Sequence, residues 1–528
     1  MGKESAPGQE LPDFPSEAFV ANFRRVIAFA RRCTPVAVVG WGAWKLNDVV
    51  GEMENLQYYS TEFLPISKLN MVLAALLLLV LFFTIIKRVF KSYRPVYLVD
   101  FACYKPPQVL KVTRNECRIG AENSKQFSEE SLQFQRRIAE RAGLGDETYL
   151  PPPFHYQFAQ GGAFRLTMRS AREEAEMVMF GAVRELLSKS GLAPRDIGIL
   201  IVNCSLFNPT PSLTAMIVNH FKMRSDITTY NLSGMGCSAG VIAVDLAREL
   251  LQVYPDKYAI VVSTENITQN WYGGNDRSML IPNVLFRMGA AAMLMTNKKR
   301  EKRRAKYELQ HVVRVHIGAD DAAFRCVYQD LDSDGKLGVE LNKDIVKVAS
   351  KALQKNLTRM GPLVLPWSEF VFLGINLLAA KILKMRVKAY VPDFKTAFDH
   401  FCLHAGGRSI IEGLSKQLGL PTIKTDPSFQ TLQWYGNTSS STIWYSLAYI
   451  ESCQKVKKGD IVWQVGFGSG FKCNSSVWKA IRDVQNTHEA WAHRVGKAPT
   501  PPPPINPEEW NKPAGDFLAQ DMPKKGHY

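Results

Sequence analysis

Two stretches of this 528-residue chain, 200 residues apart, repeat one alternation of strand-like and helical runs, and that repeat constrains the fold more than any other feature. In the first, DIGILIVN at 196–203 reads as a strand, a helix follows near 211–221, then a turn, a helix after residue 237 and the strand-like YAIVVST at 258–264. In the second, AFDHFCLH at 397–404 reads as a strand, a helix starts at 407, and a glycine turn, a helix after 437 and DIVWQVG at 460–466 follow. Cys204 falls on His404, Cys237 on Asn437 and Val261 on Ile461, so 33 residues separate the first loop from the second in each half. Chance periodicity can imitate one such match but seldom three, and the pattern reads as an internally duplicated α/β unit. Such a duplication brings equivalent loops, here those at 237, 404 and 437, to one face.

Outside the repeat, the uncharged run LNMVLAALLLLVLFFTII at 69–86 has 18 residues, enough to reach across a hydrocarbon core, and predicts a transmembrane helix. It begins too far into the chain to be a cleaved signal. The basic flank Lys87, Arg88, Lys91 and Arg94 places everything after residue 95 on the cytosolic side. Arg24, Arg25, Arg31 and Arg32 prefer that side too, which calls for a second hydrophobic element near 33–44 that turns the chain back. The expected organisation is a membrane-anchor region at 1–94, a duplicated domain at 95–496 with halves meeting near 310, and a disordered Pro-rich tail at 497–528. The apolar stretch 363–383 is interrupted by Pro366, Glu369 and Asn376, and reads as a core helix or as an amphipathic flap resting on membrane lipid.

A net charge of +16 is compatible with nucleic acid, an anionic membrane surface or a polyanion such as coenzyme A. The nine cysteines include no CxxC pair, so neither a zinc site nor a disulfide framework is expected, and a reducing compartment fits. DLDSDG at 330–335 starts like a calcium loop, but Leu341 stands where a bidentate Glu is required, so it reads as a solvated turn. KKREKRR at 298–304 reads as a solvated basic loop.

Chemistry concentrates in the repeat's loops. Cys237 lies in NLSGMGCSAG at 231–240, where glycines permit a tight strand-to-helix turn and close approach of a substrate. A thiol at a helix amino end meets unpaired N–H groups that favour thiolate and can bind an oxyanion. His404 ends a strand-like run in HFCLHAGGR, while His400, four residues earlier inside that run, is assigned a structural role. Asn437 in WYGNTSSST would locally be a helix cap; its place opposite Cys237 in the repeat makes it a site candidate instead. GFGSGF at 466–471 follows a strand and offers a backbone N–H to a developing oxyanion, and it lacks the Lys-Ser/Thr ending of a phosphate loop. His316, Gly289, Gly468 and Gly470 are candidate supporting residues.

Taken together, PVYLVDFACYKPP at 95–107, NLSGMGCSAG, MLIPNVLFRMGAAA at 279–292, HFCLHAGG and GNTSSST resemble the 3-ketoacyl-CoA synthases of plant-type very-long-chain fatty acid elongation, over roughly 95–495. The resemblance implies a thiolase-type duplicated α/β fold, layered α-β-α-β-α, with an amino-terminal transmembrane anchor in the endoplasmic reticulum membrane. It also implies a Cys-His-Asn triad on Cys237, His404 and Asn437, with the N–H groups of Cys237 and Ser469 forming an oxyanion hole. The implied reaction acylates Cys237 from acyl-CoA, after which malonyl-CoA decarboxylates and attacks the acyl thioester; His404 and Asn437 hold the malonyl thioester oxygen. The substrates are acyl-CoA and malonyl-CoA, with no metal, no bound cofactor and no nucleic acid. The partners implied are a second copy in a homodimer and the ketoreductase, dehydratase and enoyl reductase of an elongase. Val284 and Ala290 depart from a Cys and a Gly expected in the family, which bears on pocket shape. The rivals are a type III polyketide synthase-like enzyme and an inactive elongase scaffold. A degradative thiolase is disfavoured because GFGSGF holds no second cysteine.

Overall fold

The structure, a computed structural model, describes residues 94–155, 164, 166–381, 390–502, 504 and 510. The span read at 69–86 and the element near 33–44 lie outside them. Nine strands form one sheet: β1 Tyr97–Cys103, β2 Ile197–Asn203, β3 Thr228–Leu232, β4 Tyr258–Thr264, β5 Ala290–Thr296, β6 Tyr307–His316, β7 His400–Leu403, β8 Ile461–Gly468 and β9 Lys472–Ala480, in the order β7-β8-β9-β6-β1-β5-β4-β2-β3. The helices used below are α1 Arg114–Asn123, α2 Glu129–Arg141, α3 Met168–Ser190, α4 Leu213–Phe221, α5 Ala239–Val253, α6 Arg277–Leu285, α7 Ile345–Val364, α8 Trp367–Lys381, α9 Arg408–Leu418, α10 Thr422–Tyr435 and α11 Thr442–Cys453.

The duplication is visible in strand pairing. From the seam where β1 meets β6 antiparallel, each half runs outward through an antiparallel partner (β5 or β9), a second antiparallel neighbour (β4 or β8) and a parallel one (β2 or β7). The symmetry breaks at the rim. A strand stands at β3, where the sequence reads only as a turn, whereas the corresponding residues near 430 belong to α10. The amino-half segment is TTYNL, with β-branched and aromatic residues; its counterpart SFQTL lies in a run of helix-compatible residues after Pro427.

α5 contacts β2 and β4 of its own half and β6, β8 and β9 of the other, while α11 contacts β7, β8 and β1. These two helices therefore lie between the half-sheets. Their composition permits it: α5 opens with Ala239, Gly240 and Val241, and α11 is buried all round from Thr442 to Ser452. Outside them, α3 and α4 cover the amino half and α7, with α9 packed on it, the carboxyl half, giving five layers. Strand β2, IGILIVN, is buried along its whole length, which is why it reads as a continuous apolar run and not an alternating one.

A buried charge cluster fastens the seam. Lys306, fully buried, places Nζ 2.7 Å from both Asp100 and Glu451; Tyr307 donates its hydroxyl to Glu451 at 2.9 Å, and His488 Nε2 is 2.7 Å from the same carboxylate. Burial opposes ionisation of Glu451, yet Lys306 and His488 overcome it and hold its carboxyl down at about 2. Lys306→Met strands two carboxylates in the interior and should cost about 3–5 kcal/mol. A lowered urea midpoint, partly restored by adding Glu451→Gln, checks this; an unchanged midpoint would show the cluster to be dispensable.

Two further readings change. The stretch 363–383 is not a continuous helix, because α7 ends at Val364 and α8 starts at Trp367. Trp367, Val371, Phe372 and Ile375 are exposed on α8, so it is not a core helix. Among the described residues no single helix is long and apolar enough to cross a membrane; Ile345–Val364 and Trp367–Leu377 pass only as a pair bent by 119°. In the tail, Trp510 is buried and donates Nε1–H to Glu140 at 2.9 Å, so the expectation of a wholly unpacked tail is corrected there. DLDSDG does form a turn, joining the strands Val327–Leu331 and Leu337–Leu341.

Candidate active site

Cys237 sits where β3 gives way to α5, in a 3-10 turn over Gly236–Ser238. Gly236 has φ +66°, and a Cβ there would collide with the backbone nitrogen of Ser469. A Cβ on Gly468 would run into the Met235 carbonyl and the Ser238 hydroxyl. Glycine loops from the two halves therefore interlock at backbone distance, and the Ser469 N–H lies beside the turn carrying Cys237.

His404 follows the last residue of β7 and donates its N–H to the Val465 carbonyl of β8 at 3.0 Å. Its buried ring places Nδ1 2.7 Å from the Thr442 hydroxyl, which itself lies 3.0 Å from the Ser439 carbonyl. One hydroxyl proton cannot serve both contacts. With Thr442 donating to Ser439, the network assigns the imidazole proton to Nδ1 and the lone pair to Nε2. A Cβ on Gly406 would lie 2.8 Å from Nε2, so glycine keeps that side of the ring open.

Asn437 is fixed from four directions. Its N–H donates to the Leu285 carbonyl and its own carbonyl accepts from Arg287 N, both at 3.0 Å. In the side chain, Oδ1 accepts from Ser439 N at 2.8 Å and Nδ2 donates to the Gly406 carbonyl at 3.4 Å. The Ser439 hydroxyl donates to Glu265 at 3.4 Å and lies beside the Cys237 thiol, whose ionisation it favours. His404 and Asn437 are thus joined through Thr442 and Ser439, and Ser439 brings the chain of bonds beside Cys237.

Burial pushes the Cys237 thiol up to about 12, with Glu265 adding to the rise and the Ser439 hydrogen bond only partly opposing it. Burial also brings His404 down to about 4. The resting pair is a thiol and a neutral imidazole, which corrects the expectation that the helix end favours thiolate: desolvation outweighs it.

The supporting candidates separate. His400, at the start of β7, pairs Nε2 with Asp460 at 3.0 Å. His316 is exposed at the end of β6, near Gly470 and Lys472, and no bond joins it to the network. Gly289 packs against Thr438 and Gly470 has φ +92°, so both serve loop geometry.

Sequence reasoning missed Glu265. This buried carboxylate accepts from the N–H groups of Ser205, Leu206 and Asn266, from the Cys204 thiol and from the Ser439 hydroxyl. The available signal was its position one residue beyond β4, at the same sheet edge as the loops already singled out. Ser439 and Thr442 stood in the quoted GNTSSST without being assigned work.

Fold and site together define a thiolase-like protein with a cysteine at the junction of its two halves. The structure resembles the type III polyketide synthase domain of Steely1 from Dictyostelium (TM-score 0.56, 18% identity, 73% of this chain and 99% of that one). It also resembles the fungal type III polyketide synthase ORAS (TM-score 0.52, 18% identity, 73% and 99%). Residues 88–382 match the family model for FAE1/type III polyketide synthase-like proteins, and 395–480 match the C-terminal model of 3-oxoacyl-[acyl-carrier-protein] synthase III. Relatives from Arabidopsis thaliana include 3-ketoacyl-CoA synthase 4, 54% identical over 77% of this chain and 78% of the relative, and 3-ketoacyl-CoA synthase 8, 47% identical over 85% and 93%. The chain belongs to the plant 3-ketoacyl-CoA synthase family.

Proposed function

We propose that this protein condenses a long-chain acyl-CoA with malonyl-CoA in very-long-chain fatty acid elongation, with Cys237, His404 and Asn437 as its catalytic residues. The observation supporting this assignment of residues is the hydrogen-bond chain that runs from His404 through Thr442 and Ser439 to Asn437, with Ser439 beside the Cys237 thiol. His404 Nε2 takes the thiol proton and keeps it, the Cys237 thiolate attacks the acyl-CoA carbonyl, and coenzyme A leaves as thiolate and takes up a proton from water. The N–H groups of Cys237 and Ser469 carry the tetrahedral oxyanion. Malonyl-CoA then loses carbon dioxide; Asn437 Nδ2–H and an Nε2–H on His404 stabilise the thioester oxygen as enolate. The enolate carbon attacks the acyl-cysteine and expels the Cys237 thiolate, which takes back the proton from His404 Nε2 as 3-ketoacyl-CoA is released.

The protein acts at the endoplasmic reticulum membrane with its catalytic unit facing the cytosol, supplying a ketoreductase, a dehydratase and an enoyl reductase. It pairs as a homodimer, a role for which the outer edge of β3 is suited, since it is open and Tyr230 is exposed. Microsomes carrying the protein should convert labelled malonyl-CoA and a long-chain acyl-CoA into a product two carbons longer. Protease added to sealed microsomes should digest the region holding Cys237. Absence of malonyl-dependent product would leave an inactive scaffold, repeated unreduced extension would favour polyketide synthesis, and protection from protease would overturn the orientation.

A further inference from the structure

Helix α8 is turned inside out. Its polar residues face the protein: the buried Glu369 accepts from the Tyr390 hydroxyl at 2.7 Å and from Asp393 N at 2.8 Å, and Asn376 Oδ1 accepts from Tyr390 N at 3.0 Å. Its large apolar residues face away. Trp367 is 80% exposed, and Val371, Phe372 and Ile375 are each more than half exposed. With about 100° between successive residues, these four share an arc of about 140° that leaves out Glu369 and Asn376. No described atom covers the middle of the helix either, since a Cβ on Gly374 would meet nothing within 4 Å. A helix that ends in water shows the reverse arrangement, because apolar side chains left in water forgo the free energy of burial. A contiguous apolar face of this kind marks a surface that something else covers.

Charge identifies the occupant. α7 leads into α8 through a bend of 119° and packs one side on β6 and β9. Along its other side Lys347, Lys351, Lys355 and Arg359 are exposed at a spacing of four, and no acidic residue lies between Ile345 and Val364. Lys351 pairs with Asp320 at 2.7 Å, which leaves a net positive stripe. Beyond α8 the sequence runs on as KILKMRVK at 381–388, with four basic residues and no acidic one. In the chain, the apolar face is thus bracketed by positive charge. A second copy of this surface would bring like charges together, whereas anionic lipid would neutralise them while its acyl chains receive the apolar residues.

We infer that α8 lies in the boundary layer of an anionic lipid surface, with Trp367, Val371, Phe372 and Ile375 towards the acyl chains and the cations of α7 towards the headgroups. The inference rests on the membrane location proposed above and adds to it a second contact, made by the catalytic unit itself. A helix of 15 residues binds a bilayer weakly when alone. Here only seven residues separate the apolar segment 69–86 from Arg94, so docking is intramolecular, at an effective concentration of about millimolar for a short tether.

The test uses full-length protein in liposomes of phosphatidylcholine and phosphatidylserine that include a phospholipid with a diazirine in its acyl chain, and the photolabelled peptides are mapped by mass spectrometry. Peptides from α8 should carry about tenfold more label than those from α9, whose exposed Arg408 and Glu412 give it a polar outer face. Val371→Asp combined with Ile375→Asp should lower the α8 label about tenfold. Omitting phosphatidylserine should lower it several-fold. The wild-type comparison decides the matter even if the double variant fails to accumulate. Label on 69–86 with none on α8 would overturn the lipid contact while leaving the membrane location standing, and cross-links between two copies of α8 would then assign the face to a second chain. Equal α8 label with and without phosphatidylserine would overturn the part given to α7. Absence of label on both 69–86 and α8 is a different result: it removes the membrane location itself.

Discussion

Cys237→Ser should abolish both acyl labelling and condensation, a fall of roughly 10^4-fold or more. The expectation follows from where the proton lies. In the resting site the thiol is held up at about 12 and the imidazole down at about 4, so the nucleophile forms only when Nε2 takes the proton as the thioester is attacked. A serine hydroxyl is a far weaker acid, and this imidazole, already a poor base through burial, cannot make up the difference. Serine fits the same turn between Gly236 and Ser238, so the fold should survive and the loss be chemical. Radiolabelled acyl-CoA followed by peptide mapping measures it. Labelling of the variant at wild-type level would move the nucleophile elsewhere, and the other partly exposed thiols among the described residues, Cys117 and Cys453, would be examined first. The same proton placement predicts a pH profile: acylation stays level through neutrality and falls as pH drops towards about 4, where His404 becomes protonated and can no longer accept the thiol proton.

The duplicated fold was legible because its signal is redundant. A strand such as IGILIVN, a loop, and a glycine-opened helix recur at a fixed offset, and the pairing pattern repeats with them. The repeat misled only where local composition departs from it: TTYNL forms an edge strand, whereas its counterpart lies in helix α10. At the site, Cys237, His404 and Asn437 were legible as loop residues bounded by glycine. Glu265 was not, since a carboxylate one residue past a strand looks like any solvated loop end; only the structure shows it buried beneath five donors. Protonation state was also hidden. A helix amino end argues for thiolate, and the opposing desolvation depends on packing from the other half of the chain, which no local pattern reports.

Asn437→Ala and His404→Ala should both lose product, by about 10^2–10^3-fold for a lost donor to a developing oxyanion, but they should fail at different steps. In the proposed mechanism His404 accepts the thiol proton as well as donating to the malonyl oxygen, so its variant should lose acyl labelling too. The proposed mechanism gives Asn437 no part in acylation. Its Oδ1 is occupied by Ser439 N and its Nδ2 leans only weakly on the Gly406 carbonyl, at 3.4 Å, leaving an amide hydrogen to meet the enolate. Asn437→Ala should therefore accumulate acyl-Cys237 and stall before condensation. The capping bond to Ser439 supplies the competing explanation, and it predicts something else: about 1 kcal/mol of lost stability with most turnover retained. Asn437→Asp separates the two, because a carboxylate keeps the acceptor for Ser439 N while removing the N–H and setting a negative charge against the enolate. A pure cap tolerates that exchange; a donor to the enolate does not. Elongation by folded Asn437→Asp at a rate near wild type would take Asn437 out of the catalytic set and leave His404 as the sole side-chain donor to the malonyl oxygen.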